Sequence, residues 1–151
     1  MDVIYPIDNI ELSLVVPSYN EEMRLPIMID STIKFLESKP NLKYEIIIVN
    51  DGSRDNTWAV IEDLITKKYK NIDISGVTMN FNGGKGNAVK SGMKYARGKY
   101  ILMLDADGAT EISDFDSLYN VIESIKSDDK GKLAIGSRNI KNDDSVKVNN
   151  N

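Results

Sequence analysis

Residues 101–110 read ILMLDADGAT, and this stretch decides the fold that we expect for the chain. Its four leading apolar residues predict a short buried strand, which ends in two aspartates separated by one alanine. Side chains alternate along an extended segment, so Asp105 and Asp107 should project to the same side. Two carboxylates that share a small volume repel each other unless a cation compensates their charge. The stretch therefore predicts either a cation site or a solvated strand end that caps the next turn.

Apolar runs of similar length recur along the chain and alternate with amphipathic stretches. They predict five strands, at residues 12–17, 44–49, 72–79, 100–105 and 132–137. Apolar residues at three- and four-residue spacing predict helices between them, at 25–36, 58–65 and 118–125. The stretch 85–98 predicts a further helix with its apolar residues at 88–96 and Gly98 as its C-cap. This alternation predicts an α/β fold of three layers, in which a mostly parallel sheet has helices on both faces.

The composition narrows the chemistry that the chain can perform. Its 151 residues suit a single domain with one core. The formal net charge of -4 argues against general nucleic-acid binding, because no excess of Lys and Arg is available to displace phosphate counterions. The chain has neither cysteine nor histidine, which excludes disulfides and the usual zinc ligands. Carboxylate oxygens remain as metal ligands, and they favour Mg²⁺ or Mn²⁺.

The polar residues that could bind a ligand follow the predicted strands. In a parallel sheet, ligands collect beyond the carboxyl ends of the strands, where the loops converge. Pro17 should end the first strand and expose Tyr19 and Glu21, and Asp51 follows the second strand. Of the polar residues after Asp51, we expect Asp55 or the neighbouring asparagine to cap the next helix.

The stretch GGKG at residues 83–86 follows the third strand and precedes a helix. Its backbone amides and Lys85 can approach an anion at the positive end of that helix. The spacing matches neither a Walker loop nor the dinucleotide-binding glycine pattern. The stretch therefore predicts an anion site or a glycine-rich connection without a ligand.

The two ends of the chain differ from its middle. Residues 1–10 form an acidic extension without the apolar core of a signal peptide. Residues 140–151 have almost no apolar content, so we expect a disordered tail there and a ligand-binding domain over residues 11–139. No apolar run approaches the roughly 20 residues that span a bilayer, which predicts a soluble chain without a membrane span.

Four longer segments carry a resemblance to a known family. They are VVPSYNEEMRLP, IIVNDGSRDNT, NGGKGNAVKSGMKYARGKYILMLDADGAT and AIGSR. In this order they resemble the inverting glycosyltransferases of the glycosyltransferase-A fold, and RLP after YNEE together with DADGAT is most similar to the dolichyl-phosphate β-glucosyltransferases. The similarity runs from about residue 12 to residue 138, which is the donor-binding half of such an enzyme.

The resemblance implies a UDP-sugar donor at the ends of the strands. Pro17, Tyr19 and Glu21 would border the uridine. Asp51 would accept a hydrogen bond from the uracil N3–H, which cytosine lacks. Lys85 would lie near the nucleotide, together with the backbone amides around Gly84 and Gly86.

The resemblance also implies where the diphosphate and its metal ion lie. Asp105 would face the ribose or the ion, and Asp107 would hold the ion that bridges the two phosphates. Arg138 would lie near the phosphates of donor or acceptor. Related mannosyltransferases have glutamine where this chain has Ala109, whereas the glucosyl branch shares the alanine, which favours UDP-glucose.

The implied reaction is transfer of glucose, with inversion, to a lipid phosphate such as dolichyl phosphate. A phosphate monoester with a second pKa near 6 is largely anionic at neutral pH, so it needs no histidine as a base. The implied location is the cytosolic face of the endoplasmic reticulum, or the cytosol for a free chain. Two alternatives stay open: a truncated chain that binds a UDP-sugar without transferring it, and a haloacid-dehalogenase-type phosphatase with Asp105 as its nucleophile.

Overall fold

A computed structural model gives the structure of the protein, and it describes residues 9–108 and 112–124 together with the backbone of 132–136 and 146–150. The chain forms two compact units, Met1–Thr110 and Glu111–Asn151. The division of the sequence into an extension (1–10), a domain (11–139) and a tail (140–151) stays a prediction.

The first unit is built on a parallel sheet of four strands in the order β3-β2-β1-β4. The strands are β1 (Leu12–Ser18), β2 (Tyr44–Asn50), β3 (Ile74–Thr78) and β4 (Tyr100–Met103). Four of the seven residues of each central strand are aliphatic, and the side chains are buried on both faces. This is the pattern expected of a parallel sheet covered by helices. The predicted α/β class is confirmed.

Helices cover both faces of this sheet. They are α1 (Leu25–Glu37), α2 (Thr57–Asp63), which continues into a π-helical turn (Leu64–Lys68), and α3 (Lys85–Met93). A Cβ on Gly92 of α3 would lie 2.6 Å from Val15 Cγ1 and 2.9 Å from Val49 Cγ2, so α3 packs closely on one face. A Cβ on Gly76 of β3 would lie 3.0–3.1 Å from side chains of α2, which therefore packs on the other face.

A buried carboxylate joins three segments at the amino ends of the strands. Glu45 of β2 is 2% exposed and accepts hydrogen bonds from Ser13 Oγ (2.6 Å) and from Arg97 Nε (2.9 Å). Arg97 also contacts Asp73, at 2.6 Å. Burial raises the pKa of Glu45, but the hydrogen bonds from Ser13 and Arg97 outweigh it and the net pKa is lowered. The cluster fixes the segment before β4 against β1 and β2, at the opposite end from the candidate site.

The second unit contains a 3₁₀ turn (Ile112–Asp114), α4 (Phe115–Ser124), β5 (Lys132–Gly136) and β6 (Val146–Asn150). Strands β5 and β6 pair antiparallel in a separate two-stranded sheet. The expectation that residues 132–137 add a fifth strand to the parallel sheet is therefore wrong, because a short apolar run does not reveal its pairing partner. The structure also has a strand, β6, within the tail that the composition predicts to be disordered. Its sequence VKVNN alternates valine with polar residues at the start.

Two local predictions also need correction. Strand β1 continues one residue past Pro17 to Ser18. Pro17 faces the edge of β1 that β4 borders, and β4 pairs with β1 only up to Val15. The missing amide of Pro17 therefore costs no hydrogen bond between strands. Helix α3 ends at Met93, so Gly98 is not its C-cap. Gly98 instead lies against β1, where its amide donates to Ser13 Oγ at 2.7 Å. Among the described residues, no helix is long and apolar enough to cross a membrane.

Candidate functional site

The site is assembled where β2 and β3 end. Asp51, directly after β2, is 3% exposed, and its amide donates to the Ser18 carbonyl at 2.9 Å. Its carboxylate Oδ1 accepts the amide of Gly83 at 2.9 Å. The other oxygen, Oδ2, has no hydrogen-bond partner among the described residues and remains able to accept from a ligand. Asp51 thus ties the loop after β3 to the end of β2.

Gly52 brings these two loops into direct contact. Its φ of 64° lies in the left-handed region that disfavours side chains. A Cβ there would lie 2.4 Å from the carbonyl carbon of Phe81 and 2.5 Å from the amide nitrogen of Asn82. Backbone therefore packs on backbone at this point, and only glycine fits.

The glycine-rich loop leads from this contact into α3. Asn82 Oδ1 accepts the amide of Gly84 at 2.9 Å, and Gly84 has a φ of 89°. Nothing lies within 4 Å of the positions that a Cβ would take at Gly84 or Gly86. The first turn of α3 is therefore open to a ligand, and its free amides present the positive end of the helix.

Lys85, the first residue of α3, forms an ion pair with Asp105 through Nζ and Oδ1. The Asp105 side chain is 19% exposed and that of Lys85 is 55% exposed. The amide of Leu104 donates to the Val15 carbonyl at 3.0 Å, which fixes the end of β4 beside β1. The pair places the first carboxylate of the DADG stretch against the glycine-lysine loop.

Asp107 lies in the turn that follows. The amide of Gly108 donates to the Asp105 carbonyl at 3.2 Å, and Gly108 has a φ of 74°, which closes a tight turn. Asp107 is exposed on this turn. Asp105 and Asp107 thus both lie close to the end of β4.

The loop after β1 is fixed to the loop after β2 by main-chain amides. Asn20, with a φ of 53°, donates its amide to Ser53 Oγ at 3.0 Å, and the amide of Glu21 donates to Thr57 Oγ1 at 2.8 Å. Tyr19 is 37% exposed, as expected for a residue at the mouth of the site. Pro17 and Ser18 are buried within β1, so Tyr19 is the first accessible residue after the strand and the predicted exposure begins there.

The Glu21 carboxylate is engaged within its own loop. Its two oxygens accept from Arg24 Nε at 2.7 Å and from Arg24 Nη2 at 2.8 Å. A contact between Glu21 and a uridine would compete with this bidentate pair. The sequence gives Arg24 no role, although its spacing of three residues after Glu21 is one that places two side chains together.

The contacts between the loops after β1 and β2 could not be predicted from the sequence. The loop after β2 accepts three amides of the β1 loop through Ser53, Asp55 and Thr57. Asn56 holds the N-cap position of α2, and its side chain makes no capping hydrogen bond. Asp55, one residue earlier, accepts the amide of Thr57, the first residue of α2, through Oδ1 at 3.0 Å. Asp55 thus binds the start of α2 and the loop after β1.

The structure brings together most of the predicted site within the first unit. Asp51 contacts Gly83, and Lys85 contacts Asp105, so these predicted ligands of the donor form one connected set. Arg138 and Ala109 lie outside the described residues. The described residues contain no group of three acidic, cysteine or histidine side chains that could hold a metal ion. A metal site here would rest on two carboxylates.

Comparison with solved structures defines the class of protein. A mannosyltransferase from Pyrobaculum calidifontis, solved with GDP-Man and Mn²⁺, matches with a TM-score of 0.66 at 21% identity over 88% of this chain and 37% of that one. The S. aureus protein TarS (residues 1–349), solved with UDP-GlcNAc, matches with a TM-score of 0.56 at 24% identity over 75% of this chain and 32% of that one. The chain therefore has the glycosyltransferase-A fold.

The sequence comparison identifies the family. The chain belongs to glycosyl transferase family 2, whose sequence profile matches residues 13–149. This match extends into the tail beyond residue 139. The fold and the family together show that the phosphatase alternative is wrong, and that the resemblance stated from the motifs is correct.

Several curated relatives share a name. A dolichyl-phosphate β-glucosyltransferase of Dictyostelium discoideum is 49% identical over 88% of this chain and 41% of its own length. Proteins of the same name from Drosophila melanogaster and Homo sapiens are 44% and 41% identical, over 86% and 85% of this chain. The chain spans about two fifths of the length of these relatives.

Proposed function

We propose that this chain carries the donor site of a dolichyl-phosphate β-glucosyltransferase, which transfers glucose from UDP-glucose to dolichyl phosphate with inversion at the anomeric carbon. The observation that carries the proposal is the connected set of Asp51, the glycine-lysine loop and Asp105 at the carboxyl ends of parallel strands. Ligands of α/β proteins bind at this position. The name shared by the relatives supports the sugar and the acceptor.

The position of Asp51 supports a uracil base in the proposed donor. Asp51 is held by Gly83 through Oδ1, which leaves Oδ2 to accept the N3–H of uracil. The exposed ring of Tyr19 offers an apolar face nearby on the same edge of the sheet. A cytosine in this place would set its N3 lone pair against a carboxylate. Asp51 therefore favours UDP over CDP.

The diphosphate belongs beside α3. The open first turn at Gly84 and Gly86 supplies amides, and Lys85 supplies a positive charge. These groups stabilise the charge that develops on the departing UDP. Because the amides of this turn are fixed by the fold before the reaction, they need little rearrangement as that charge appears.

The donor set fits a divalent ion of the hard class. Asp105 and Asp107 offer only oxygen atoms, and Mg²⁺ is commonly held by one or two carboxylates together with substrate phosphates. The Mn²⁺ bound in the Pyrobaculum calidifontis protein supports a similar requirement here. When bound, the ion would neutralise charge on the diphosphate. Both Mg²⁺ and Mn²⁺ suit this role.

The acceptor supplies its own nucleophile. A phosphate monoester carries about 1.5 to 2 negative charges at pH 7, so it can attack the anomeric carbon without a protein base. This agrees with a chain that contains no histidine. Arg138 is proposed to lie near the phosphates. The cytosolic face of the endoplasmic reticulum is the proposed place of the reaction.

Transfer of radiolabelled glucose from UDP-glucose to a short-chain dolichyl phosphate tests this function. The proposal expects labelled lipid in the presence of Mg²⁺ or Mn²⁺ and none from an Asp105→Asn variant. A chain that binds UDP but forms no labelled lipid would instead support the second candidate, a donor-binding chain without transferase activity. Absence of both binding and transfer would overturn both.

A further inference from the structure

Asp105, which the proposed function gives to the divalent ion of the diphosphate, forms an ion pair with Lys85. Lys85 Nζ contacts Asp105 Oδ1 directly. The carboxylate is mostly shielded from solvent, whereas the lysine side chain is more than half exposed. The structure therefore shows Asp105 with an internal cation as its partner.

The backbones on both sides of this pair are fixed. Helix α3 packs closely on β1 and β2 through Gly92, and Ala88 is fully buried one turn after Lys85. Hydrogen bonds of the Leu104 amide to Val15 and of the Gly108 amide to Asp105 hold the other side. The movable part is the four-carbon side chain of Lys85, which is more than half exposed.

Two cations cannot use the same carboxylate oxygen without repelling each other. An ammonium group on Asp105 lowers the affinity of that carboxylate for a divalent ion, because the ion must displace it or sit beside it. A bound diphosphate changes this balance, since it offers Lys85 a more highly charged partner at the open first turn of α3. Once Lys85 contacts the phosphates, its ammonium group no longer competes with the ion for Asp105 Oδ1.

We propose that Lys85 is a counter-ion that keeps the divalent ion off Asp105 until the nucleotide diphosphate is bound. This proposal rests on the proposed function. It assigns Lys85 opposite effects on two ligands: it weakens binding of the ion alone and strengthens binding of UDP. Because linkage is reciprocal, UDP and the ion then raise each other's affinity by the same factor.

The test is a titration of the full chain with Mn²⁺ in the absence of nucleotide. Electron paramagnetic resonance measures the concentration of free Mn²⁺ at each step. The Lys85→Met variant should bind Mn²⁺ about fivefold more tightly than the wild type, which corresponds to loss of one partly exposed ion pair. In the presence of Mn²⁺, the same variant should bind UDP at least about tenfold more weakly, since a charge-assisted contact is lost.

Lys90→Met is the matched control, because Lys90 is an exposed lysine on the same helix. It removes the same charge and should leave both affinities within about twofold of the wild type. Mn²⁺ binding by Lys85→Met that is undetectable, unchanged or weaker than in the wild type would overturn the counter-ion role. An equal gain in Lys90→Met would overturn it too, since general charge would then explain the effect.

Failure of the proposed function has a different signature. A wild-type chain that does not bind UDP with any divalent ion would refute the donor site, whatever the Mn²⁺ titrations show. UDP binding by the wild type with no gain of Mn²⁺ affinity in Lys85→Met would refute only the counter-ion role. The two claims are therefore separated by the same set of titrations.

Discussion

Replacing Gly52 with alanine tests whether the loops after β2 and β3 form one rigid edge of the site. Gly52 has a φ of 64°, and a left-handed conformation costs a residue with a side chain roughly 1–2 kcal/mol. The new Cβ would lie 2.4 Å from the Phe81 carbonyl carbon and 2.5 Å from the Asn82 nitrogen. Forcing an extra methyl group into packed structure costs about 1–3 kcal/mol. We therefore expect the free energy of unfolding to fall by about 2–5 kcal/mol.

The assay is equilibrium unfolding in urea, followed by the fluorescence of the single tryptophan, Trp58. Gly86→Ala is the matched control, because its Cβ would meet nothing within 4 Å and Gly86 lies inside α3. That substitution should leave the stability unchanged or raise it by up to about 1 kcal/mol. A loss below about 1 kcal/mol in Gly52→Ala, or equal losses in the two variants, would refute the close contact between the loops.

Three further predictions concern named side chains. Glu45→Gln should lower the free energy of unfolding at pH 7, measured in urea, by about 1–3 kcal/mol. The pKa of Glu45 is lowered in the folded protein, so its carboxylate gives stability that is lost as the pH falls through that pKa. The difference between variant and wild type should therefore shrink on acidification. Burial and the hydrogen bond to Asp30 raise the pKa of Tyr69 to about 12. Ultraviolet titration should therefore show one tyrosine that ionises near pH 12 and is absent from Tyr69→Phe. The protonated Tyr69 hydroxyl gives stability to the fold that is lost as the pH rises through that pKa. Calorimetry should show that the wild type binds UDP at least about tenfold more tightly than CDP, and that Asp51→Asn reduces this preference.

Each of these predictions has a contradicting result. A constant difference between wild type and Glu45→Gln down to acid pH would show that Glu45 is not stabilised in its charged form. An unchanged tyrosine titration in Tyr69→Phe would assign the late ionisation to another residue. Equal affinity of the wild type for UDP and CDP would remove Asp51 from the base site.

The pattern of apolar residues was sufficient to predict the class of fold. The continuous aliphatic runs of β1 and β2 are buried on both faces and pair in parallel, as such runs indicate. The pairing of residues 132–136 could not be predicted, because period-2 burial is the same in parallel and antiparallel strands and the partner strand at 146–150 has few apolar residues. Helix α3 ends at Met93, earlier than predicted. The residues after Met93 are also common in helices, so the sequence does not mark this end.

The site was predicted in part, and the difference has a physical origin. The rule that ligands bind beyond parallel strands was enough to group Asp51, Lys85 and Asp105. The bidentate pair of Glu21 with Arg24 could not be predicted. One carboxylate can bind any of several nearby donors, and side-chain geometry decides which donor it binds. The same holds for the contact between Lys85 and Asp105, which are twenty residues apart in sequence.

Isothermal titration of the full chain with UDP, in Mn²⁺ and then in excess EDTA, tests the central claim most directly. The account predicts saturable binding of one UDP per chain with the ion, and loss of that binding in EDTA and in an Asp107→Ala variant that unfolds at the same urea concentration as the wild type. No binding of UDP with Mn²⁺ or Mg²⁺, or equal binding in EDTA, would contradict a donor site at the converging ends of these strands.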